Sequence, residues 1–296
     1  MVILNGKKAS VPALRVAIDE IRKEYKDRVD IRVTYEYGDI DRLIDDAISR
    51  GIKRVIIGGG DGTVNETINA LMRYPKERRV IIGVVPLGTA NDFAVGCNIP
   101  LDSLEALRLA IYSPPTPIDV IKANDRYFIN MATGGYGAEV TKETPLWLKN
   151  LIGGGSYLIT GILKLASMTP YKVDVITPDV EFTFTGVVSA ICNGRQSGGG
   201  IVLAPNAYIN DGLLDVFAIS DIMNADVAML LDEVNNPSDN GIYIKRFQTP
   251  WIEVHSLNKA PLNLDGEPYE RDNYLRYEVV SNAINCVLPR DCACII

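Results

Sequence analysis

Histidine is nearly absent. His255 is the only one in 296 residues, so histidine-rich zinc sites and catalytic schemes that pair histidines are excluded. It falls in a strand pattern, where packing or a surface role is the ordinary outcome. Cysteine is also scarce. Cys97, Cys192, Cys286, Cys292 and Cys294 are odd in number, scattered and without Cys-x-x-Cys spacing, which argues against a disulfide framework and for reduced thiols in a reducing compartment. Long apolar runs are missing. No basic head with an apolar run follows Met1. The greasiest region, Leu151 to Ala166, is broken by Gly153-Gly154-Gly155, Gly161 and Lys164 and is too short to span a bilayer. A cytoplasmic soluble protein is the expectation. Basic excess is lacking too: the net charge of −7 argues against a broad polybasic surface for nucleic acid or anionic membrane.

What is present is an ordinary globular composition, 47% hydrophobic and 23% charged, in a chain long enough for two domains or one large one. It is organised around Val55-Ile56-Ile57-Gly58-Gly59-Gly60-Asp61-Gly62-Thr63-Val64-Asn65-Glu66. Three apolar residues read as a buried strand, the glycines forbid its continuation, and Val64, Ile68, Leu71 and Met72 then recur at helical spacing. A strand passing through glycines into a helix suits phosphate, because bare backbone N–H groups and the positive helix end can approach an anion. Asp61 is the unusual member: an acid there repels phosphate unless a cation intervenes or the acid has chemistry to do. The stretch fails the G-x-G-x-x-G pattern at Thr63 and has no G-K-[S/T], which disfavours a dinucleotide oxidoreductase and a Walker-type NTPase.

Strand and helix patterns alternate in the first part. Val2 to Leu4, Ile31 to Tyr35, the Val55 strand and Val80 to Val85 are strands. Helical stripes run over Val11 to Ile21, Ile40 to Ile48 and, from Asp102 or Ser103, through Leu104, Leu107 and Ile111. Regular alternation with apolar strands implies a parallel sheet covered by helices, with ligand where the strands end. Pro86-Leu87-Gly88-Thr89-Ala90-Asn91-Asp92-Phe93 repeats the glycine, hydroxyl and acid theme one β-α unit after the first loop, so the two loops should lie side by side; Asp92 reads equally as an N-cap. Ser113-Pro114-Pro115-Thr116-Pro117 then marks a boundary, giving an α/β domain over 1–117. Over 118–296 the period changes to strand-like segments at Tyr127 to Met131, Val173 to Ile176, Phe182 to Cys192, Leu213 to Ile219, Trp251 to His255 and Tyr274 to Val280. These imply a mostly antiparallel β-rich domain, with helices at Glu139 to Leu151, Ser156 to Met168 and Asn224 to Val234.

In this second part Leu264-Asp265-Gly266-Glu267 and Asn210-Asp211-Gly212-Leu213-Leu214 read as β-turns, since Asp-Gly is a favoured turn pair. Such turns also set carbonyls beside a carboxylate, the hard oxygen donors that Mg²⁺ or Ca²⁺ prefers. Gly134-Gly135-Tyr136-Gly137 reads as a backbone bend. Leu146, Trp147, Leu148, Leu151 and Ile152 read as core, with membrane or acyl-chain contact the sharper alternative.

With the Gly58 to Glu66 loop, Pro86-Leu87-Gly88-Thr89-Ala90-Asn91-Asp92-Phe93-Ala94, Asn210-Asp211-Gly212-Leu213-Leu214 and Leu264-Asp265-Gly266-Glu267 in this order, the chain resembles the diacylglycerol kinase catalytic family, and within it the YegS-like bacterial lipid kinases, over nearly its full length. The GGDGT element alone is shared with NAD kinases and loosely with phosphofructokinases; the second loop and the distal D-G-E make the likeness specific. The resemblance implies an N-terminal parallel-sheet nucleotide-binding α/β domain, phosphofructokinase- or NAD-kinase-like, and a C-terminal antiparallel β-sandwich-like domain whose last residues can return to the first, with the site in the cleft between them. It implies ATP contacts from Thr34, Gly60, Asp61, Gly62, Thr63, Val64, Asn65, Glu66 and Thr89. It implies a metal held by Asp211 with the carbonyls of Tyr208 and Leu213, and a general base at Asp265 or Glu267, with Asp61 binding the nucleotide's magnesium or positioning the hydroxyl. The expected cofactors are ATP and Mg²⁺, with Ca²⁺ the alternative ion in the second domain. The expected partners are a lipid substrate and transient membrane contact, with no nucleic acid and no obligate protein partner. Asn5-Gly6-Lys7-Lys8 departs from the N-P-x-[S/A]-G loop of many relatives. An NAD kinase or an inactive nucleotide- or lipid-binding regulator are the alternative readings.

Overall fold

The computed structural model describes residues 1–25, 29–135, 168–223, 225–236, 238, 241–256, 262–270 and 273–296. The chain forms two compact units. One comprises Met1–Val120, Ile209–Asp211 and Ser281–Ile296; the other comprises Ile121–Tyr208 and Gly212–Val280.

The first unit runs β1 (Val2–Asn5), α1 (Pro12–Tyr25), β2 (Ile31–Thr34), α2 (Asp39–Ser49), β3 (Arg54–Gly59), α3 (Asp61–Met72), β4 (Ile81–Pro86), α4 (Asp92–Gly96) and α5 (Ser103–Tyr112). Its strands are parallel in the order β4-β3-β1-β2. The apolar runs of β3 and β4 are buried on both faces, as a sheet covered on both sides by helices requires. Leu14, Ala17 and Ile21 of α1 and Ala106, Leu107 and Ala110 of α5 share a core with Val2, Leu4, Ile56 and Val85. A Cβ on Gly83 would lie 2.6 Å from Ala110 Cβ, so glycine there lets α5 approach the sheet. Asp102 starts α5 by accepting from the Leu104 and Glu105 amides, both at 3.0 Å, the N-cap arrangement.

The proline stretch stops α5 but does more than punctuate: β5 (Pro115–Ala123) begins within it and continues into the second unit. Prolines at a strand's opening forgo no ladder bond that a central position would need.

The second unit carries β6 (Arg126–Phe128), β7 (Met131–Gly135), β8 (Tyr171–Ile176), β9 (Glu181–Cys192), β10 (Gln196–Ser197), β11 (Ile201–Val202), β12 (Leu214–Ser220), α6 (Val227–Asn235), β13 (Ile244–Thr249), β14 (Trp251–Ser256), β15 (Leu262–Leu264), β16 (Glu267–Tyr269) and most of β17 (Tyr274–Val287). Antiparallel neighbours follow the order β16-β15-β7-β9-β8-β14-β17, and β12 joins β9 and carries β13. The far end of β17 belongs to the first unit and meets β4 in parallel through Cys286 and Ile82.

Of the strand segments expected from alternation in the second part, Tyr127 to Met131 is split at Ile129-Asn130 between β6 and β7 and the others are present; β5, β10, β11 and β16 are additions, and so is β13. Lys245 and Arg246 interrupt its apolar pattern, yet it pairs with β12 along its length. The helix expected from Asn224 begins at Val227, capped by Asp226 through the Ala228 and Met229 amides. The helices expected over 139–151 and nearly all of 156–168, the Tyr136-Gly137 end of the glycine bend and the Leu146 to Ile152 apolar group lie outside the described residues. Among the described residues, no helix is long and apolar enough to cross a membrane. All five cysteines are thiols, none in a disulfide.

Candidate active site

In the order β4-β3-β1-β2 the chain steps from β1 outward to β2 and then returns to the other side of β1 for β3. The switch point is therefore the crevice beyond the carboxyl ends of β1 and β3, where open α/β sheets hold ligands. The register brings Asn5 beside Thr34 and Leu4 beside Gly58 there. Asn5 Nδ2 donates to Thr63 Oγ1 at 3.3 Å, the Lys7 amide donates to Asn5 Oδ1 at 3.1 Å, and the Gly6 amide donates to Thr34 Oγ1 at 3.3 Å. A cleft of about 780 Å³ opens beside these groups, lined among others by Asn5, Lys7, Arg15, Thr34, Tyr35 and Glu66. Tyr35 and Tyr37, both on its wall, are 93% and 84% exposed, an uncommon display of aromatic surface that suits a planar ligand.

The two glycine loops do lie side by side. Gly60 caps α3 in an extended conformation, and Asp61 is the first residue of that helix. A Cβ on Gly88 would fall 2.6 Å from Gly60 Cα and 2.7 Å from Asn91 Oδ1, so the loops meet backbone to backbone and only glycine fits. Asn91, at φ 52°, closes the second loop on itself: its Oδ1 accepts from the Gly88 amide at 2.7 Å and its Nδ2 donates to the Gly88 carbonyl at 3.0 Å. Asn91 is thus the residue that precedes α4, and Asp92 is its first helical residue, buried; the N-cap reading of Asp92 does not hold. Thr89 stands exposed at the loop tip. Thr63, Val64 and Asn65 are buried along α3, whereas Gly60, Gly62 and Glu66 are half-buried. We expect Gly88→Ala to force the Gly60 backbone away, costing about 1–3 kcal/mol of stability as overpacking does. Thermal unfolding together with nucleotide affinity measures both consequences.

Asp61 ties the loops together, its Oδ1 accepting from the Phe93 amide at 3.1 Å. Burial pushes its carboxyl above the ordinary range, and the neighbouring Asp92 charge adds to the rise against the opposing amide bonds. A carboxyl raised in the folded state binds protons more readily there than when unfolded, so stability falls as pH climbs from the ordinary carboxylate range through the folded value. Asp61→Asn keeps the acceptor oxygen and removes the buried charge. We therefore expect the variant to melt higher than the parent at neutral pH and the difference to shrink as pH is lowered toward the ordinary carboxylate range, in parallel melting curves; an advantage independent of pH contradicts this.

In the second unit, Asp265 and Gly266 form a two-residue turn between β15 and β16 with φ 49° and 93°, the positive-φ pair a tight hairpin needs. Asp265 is 7% exposed and its carboxylate is turned inward. Its Oδ2 accepts from the Ile129 amide at 2.8 Å, and its Oδ1 accepts from the Asn130 and Met131 amides at 2.9 Å each. The Asp265 amide returns a bond to the Met131 carbonyl. Asn193 grips the same bend, its Nδ2 donating to the Ile129 carbonyl at 2.8 Å. Glu267, by contrast, opens β16 with its side chain exposed. The turn therefore separates its two acids: one is an internal brace and the other faces outward.

The Tyr208 to Leu213 segment turns at Gly212, φ 77°, with Asp211 and Leu213 half-buried. Among the described residues, no group of three or more histidine, cysteine or acidic side chains could hold a metal. A cation at this turn would be held by one carboxylate with backbone carbonyls, a donor set whose hard oxygen chemistry fits Mg²⁺ or Ca²⁺. His255 lies on β14 with its ring 4.9 Å from that of Tyr274, an ordinary strand-surface packing.

Sequence reasoning missed Lys7, Arg15, Tyr35 and Tyr37 of the cleft. Position at the carboxyl ends of β1 and β2 could have pointed to Lys7 and the tyrosines; Arg15 reaches the cleft from α1, which no local pattern signals.

Comparison with known proteins agrees with this arrangement. Residues 1–123 match the diacylglycerol kinase catalytic domain, and residues 130–287 match the YegS C-terminal NAD kinase beta sandwich-like domain. A Shewanella frigidimarina protein named probable lipid kinase YegS-like is 44% identical over 99% of this chain and 95% of its own. A Serratia proteamaculans protein of the same name is 42% identical over 99% and 94%. The crystal structure of a diacylglycerol kinase from Bacillus anthracis superposes with a TM-score of 0.71 at 21% identity, over 99% of this chain and 97% of that one, which is a likeness of fold. With both of its parts matched by family models and relatives above 40% identity along nearly its whole length, this chain belongs to the diacylglycerol kinase catalytic family, among the YegS-like lipid kinases.

Proposed function

We propose that the protein transfers the γ-phosphate of ATP to a hydroxyl of a lipid, with a divalent cation. The observation that carries this reading is the seating of the two loops, Gly60 against Gly88 with Asp61 bonded to Phe93, at the switch point beside the 780 Å³ cleft. Phosphoryl transfer demands positioning and charge neutralisation more than covalent chemistry, and this corner offers both. Gly60, Gly62 and Thr63 present the α3 N-terminus and its amides to phosphate. Lys7 and Arg15 line the cleft with positive charge, and Thr34, Val64, Asn65, Glu66 and Thr89 complete the nucleotide contacts. Tyr35 and Tyr37 are suited to stack on the base.

The acceptor hydroxyl must lose its proton as it attacks, and a carboxylate within the turn is the group suited to take it. The inward bonds of Asp265 to three backbone amides support Glu267 as the base and Asp265 as a positioning residue. Asp61 acts in the same spirit, holding the second loop to the first; its replacement by asparagine is expected to lower turnover. A cation at Asp211, with the carbonyls of Tyr208 and Leu213, would supply fixed positive charge for the phosphates. The relatives' names point to a lipid acceptor, and diacylglycerol and phosphatidylglycerol both carry a suitable primary hydroxyl.

The test is incubation of the protein with γ-labelled ATP and, separately, extracted lipids, NAD or no acceptor, with and without Mg²⁺. Label in the chloroform phase that requires Mg²⁺ supports the proposal. Label on NAD, or nucleotide binding without transfer to any acceptor, overturns it.

A further inference from the structure

Three of the five cysteines meet in the first unit, outside the nucleotide cleft. Cys97 follows α4 at its C-terminal end, and Cys292 and Cys294 lie near the end of the chain. The Cys97 thiol is hydrogen-bonded to the thiols of both Cys292 and Cys294. Cys294 Sγ donates to the Gly96 carbonyl at 3.0 Å, and Asn98 Nδ2 donates to the Asp291 carbonyl at 2.8 Å. Gly96, Cys97 and Asn98 therefore each hold the chain's last segment. That segment turns just before the cluster, where the Cys292 amide donates to the Pro289 carbonyl at 3.2 Å.

The three thiols differ in access. Cys97 and Cys294 are buried, whereas Cys292 is half-buried and reaches the surface. They differ in acidity as well. Hydrogen bonds to Cys292 and Cys294, then burial and the charge of those two thiols, push the Cys97 thiol well up, so Cys97 keeps its proton while one of the others ionises. The thiolate is the nucleophile in sulfur oxidation, and susceptibility follows its exposure. Cys292 is thus the thiol that a dissolved oxidant meets, with a second thiol in hydrogen-bond contact behind it. Cys192 and Cys286 lack that combination: both are buried, and burial pushes their thiols up. Where disulfides form in a reducing compartment, they are ordinarily transient and serve to sense oxidants.

We propose that peroxide joins Cys292 to Cys97 in a reversible disulfide, and that this link lowers turnover at the neighbouring loops. The Cys292 thiolate attacks one peroxide oxygen: an S–O bond forms, the O–O bond breaks, and the departing hydroxide takes up the proton that the thiol had lost. The Cys97 sulfur then attacks the Cys292 sulfur. The S–O bond breaks, and the second hydroxide leaves with the Cys97 proton as water. Two thiols are oxidised and one peroxide is reduced to two waters; a dithiol reverses the link by exchange. A disulfide sets its sulfurs about 2.05 Å apart, well inside a hydrogen-bond separation, so α4 and the last segment must draw together. Both carry parts of the site. On one side α4 holds Phe93, whose amide binds Asp61. On the other, the Cys294 carbonyl accepts from the Ile209 amide at 2.9 Å and Asn210 Oδ1 accepts from the Ile296 amide at 3.0 Å, next to Asp211. The effect on turnover rests on the lipid-kinase reading; the disulfide does not.

The test treats the full chain, Cys292→Ser, Cys97→Ala and, as a control in the second unit, Cys192→Ala with hydrogen peroxide and then with dithiothreitol. Melting curves before oxidation establish that each variant folds, and the exposed Cys292→Ser serves should the buried Cys97→Ala not fold. After each step the remaining thiols are alkylated, linked peptides are identified by mass spectrometry, and lipid phosphorylation is measured. The parent and Cys192→Ala should each yield a peptide pair joined through Cys97 and Cys292. Their turnover should fall by about tenfold to a hundredfold, as displacement of positioning groups by an ångström does, and return with dithiothreitol. Cys292→Ser and Cys97→Ala should form no such link and keep their turnover in peroxide. A parent in which peroxide forms no Cys97–Cys292 link, or links only Cys292 to Cys294, overturns the disulfide. A link that leaves turnover unchanged overturns the regulation and leaves the kinase reading intact. A reversible link in a parent that phosphorylates no lipid even when reduced supports the disulfide and overturns the kinase reading instead.

Discussion

Glu267→Gln should lower kcat by about a hundredfold to ten-thousandfold, the usual contribution of a positioned general base, while melting temperature and KM for ATP stay at parental values. Glutamine matches glutamate in shape and removes only its ability to take a proton. The side chain is exposed at the first residue of β16, and substitutions at such positions ordinarily change stability by no more than about 0.5 kcal/mol. A loss of turnover there cannot be attributed to the fold. Steady-state kinetics with lipid acceptor and a melting curve on the same preparation decide the matter. If the variant turns over within about twofold of the parent, a difference worth well under 1 kcal/mol of barrier, Glu267 is not the base.

Asp265 should behave in the opposite manner. Its carboxylate satisfies the amides of Ile129, Asn130 and Met131 in a buried bend, and each buried donor left without an acceptor costs about 1–3 kcal/mol. Asp265→Ala strands all three, so a loss of several kcal/mol is expected, a large part of the roughly 5–15 kcal/mol that a native domain possesses. Asp265→Asn can keep the Oδ1 bonds to Asn130 and Met131 but turns an amide donor toward the Ile129 amide, and it should fall between alanine and the parent. The left-handed φ of 49° separates the two further, since asparagine visits that region more readily than alanine. Melting curves should therefore rank parent, asparagine and alanine in that order, with turnover falling alongside the folded fraction. An asparagine variant that melts like the parent and yet lacks turnover would return the chemical role to Asp265.

These contrasting expectations arise from one sequence, Leu264-Asp265-Gly266-Glu267, in which the two acids look interchangeable. The Asp-Gly pair signals a turn because both positions need positive φ. What a one-dimensional reading cannot supply is the identity of the groups across the turn: the acceptor demand of the Ile129 to Met131 bend comes from residues more than a hundred positions away. The same holds for Asp61. Its place at the start of a helix after glycines was legible, because the apolar period changes from strand to helix around it. Its bond to the Phe93 amide depends on β4 lying next to β3.

By itself the sequence determined the parallel α/β alternation of the first unit, the antiparallel strands of the second, and the two loops that share a sheet edge, because burial on both faces, period-two alternation and glycine backbones are local demands that leave a local pattern. The tertiary structure alone decided that Asp265 braces the interior while Glu267 faces outward, that Lys7, Arg15, Tyr35 and Tyr37 border the cleft, that β13 pairs despite its charged residues, and that β9 shifts its register against β12 between Gly186 and Val188. Each of these depends on partners distant in the chain, and a side chain's role is fixed by the hydrogen bonds and volume that such partners leave to it.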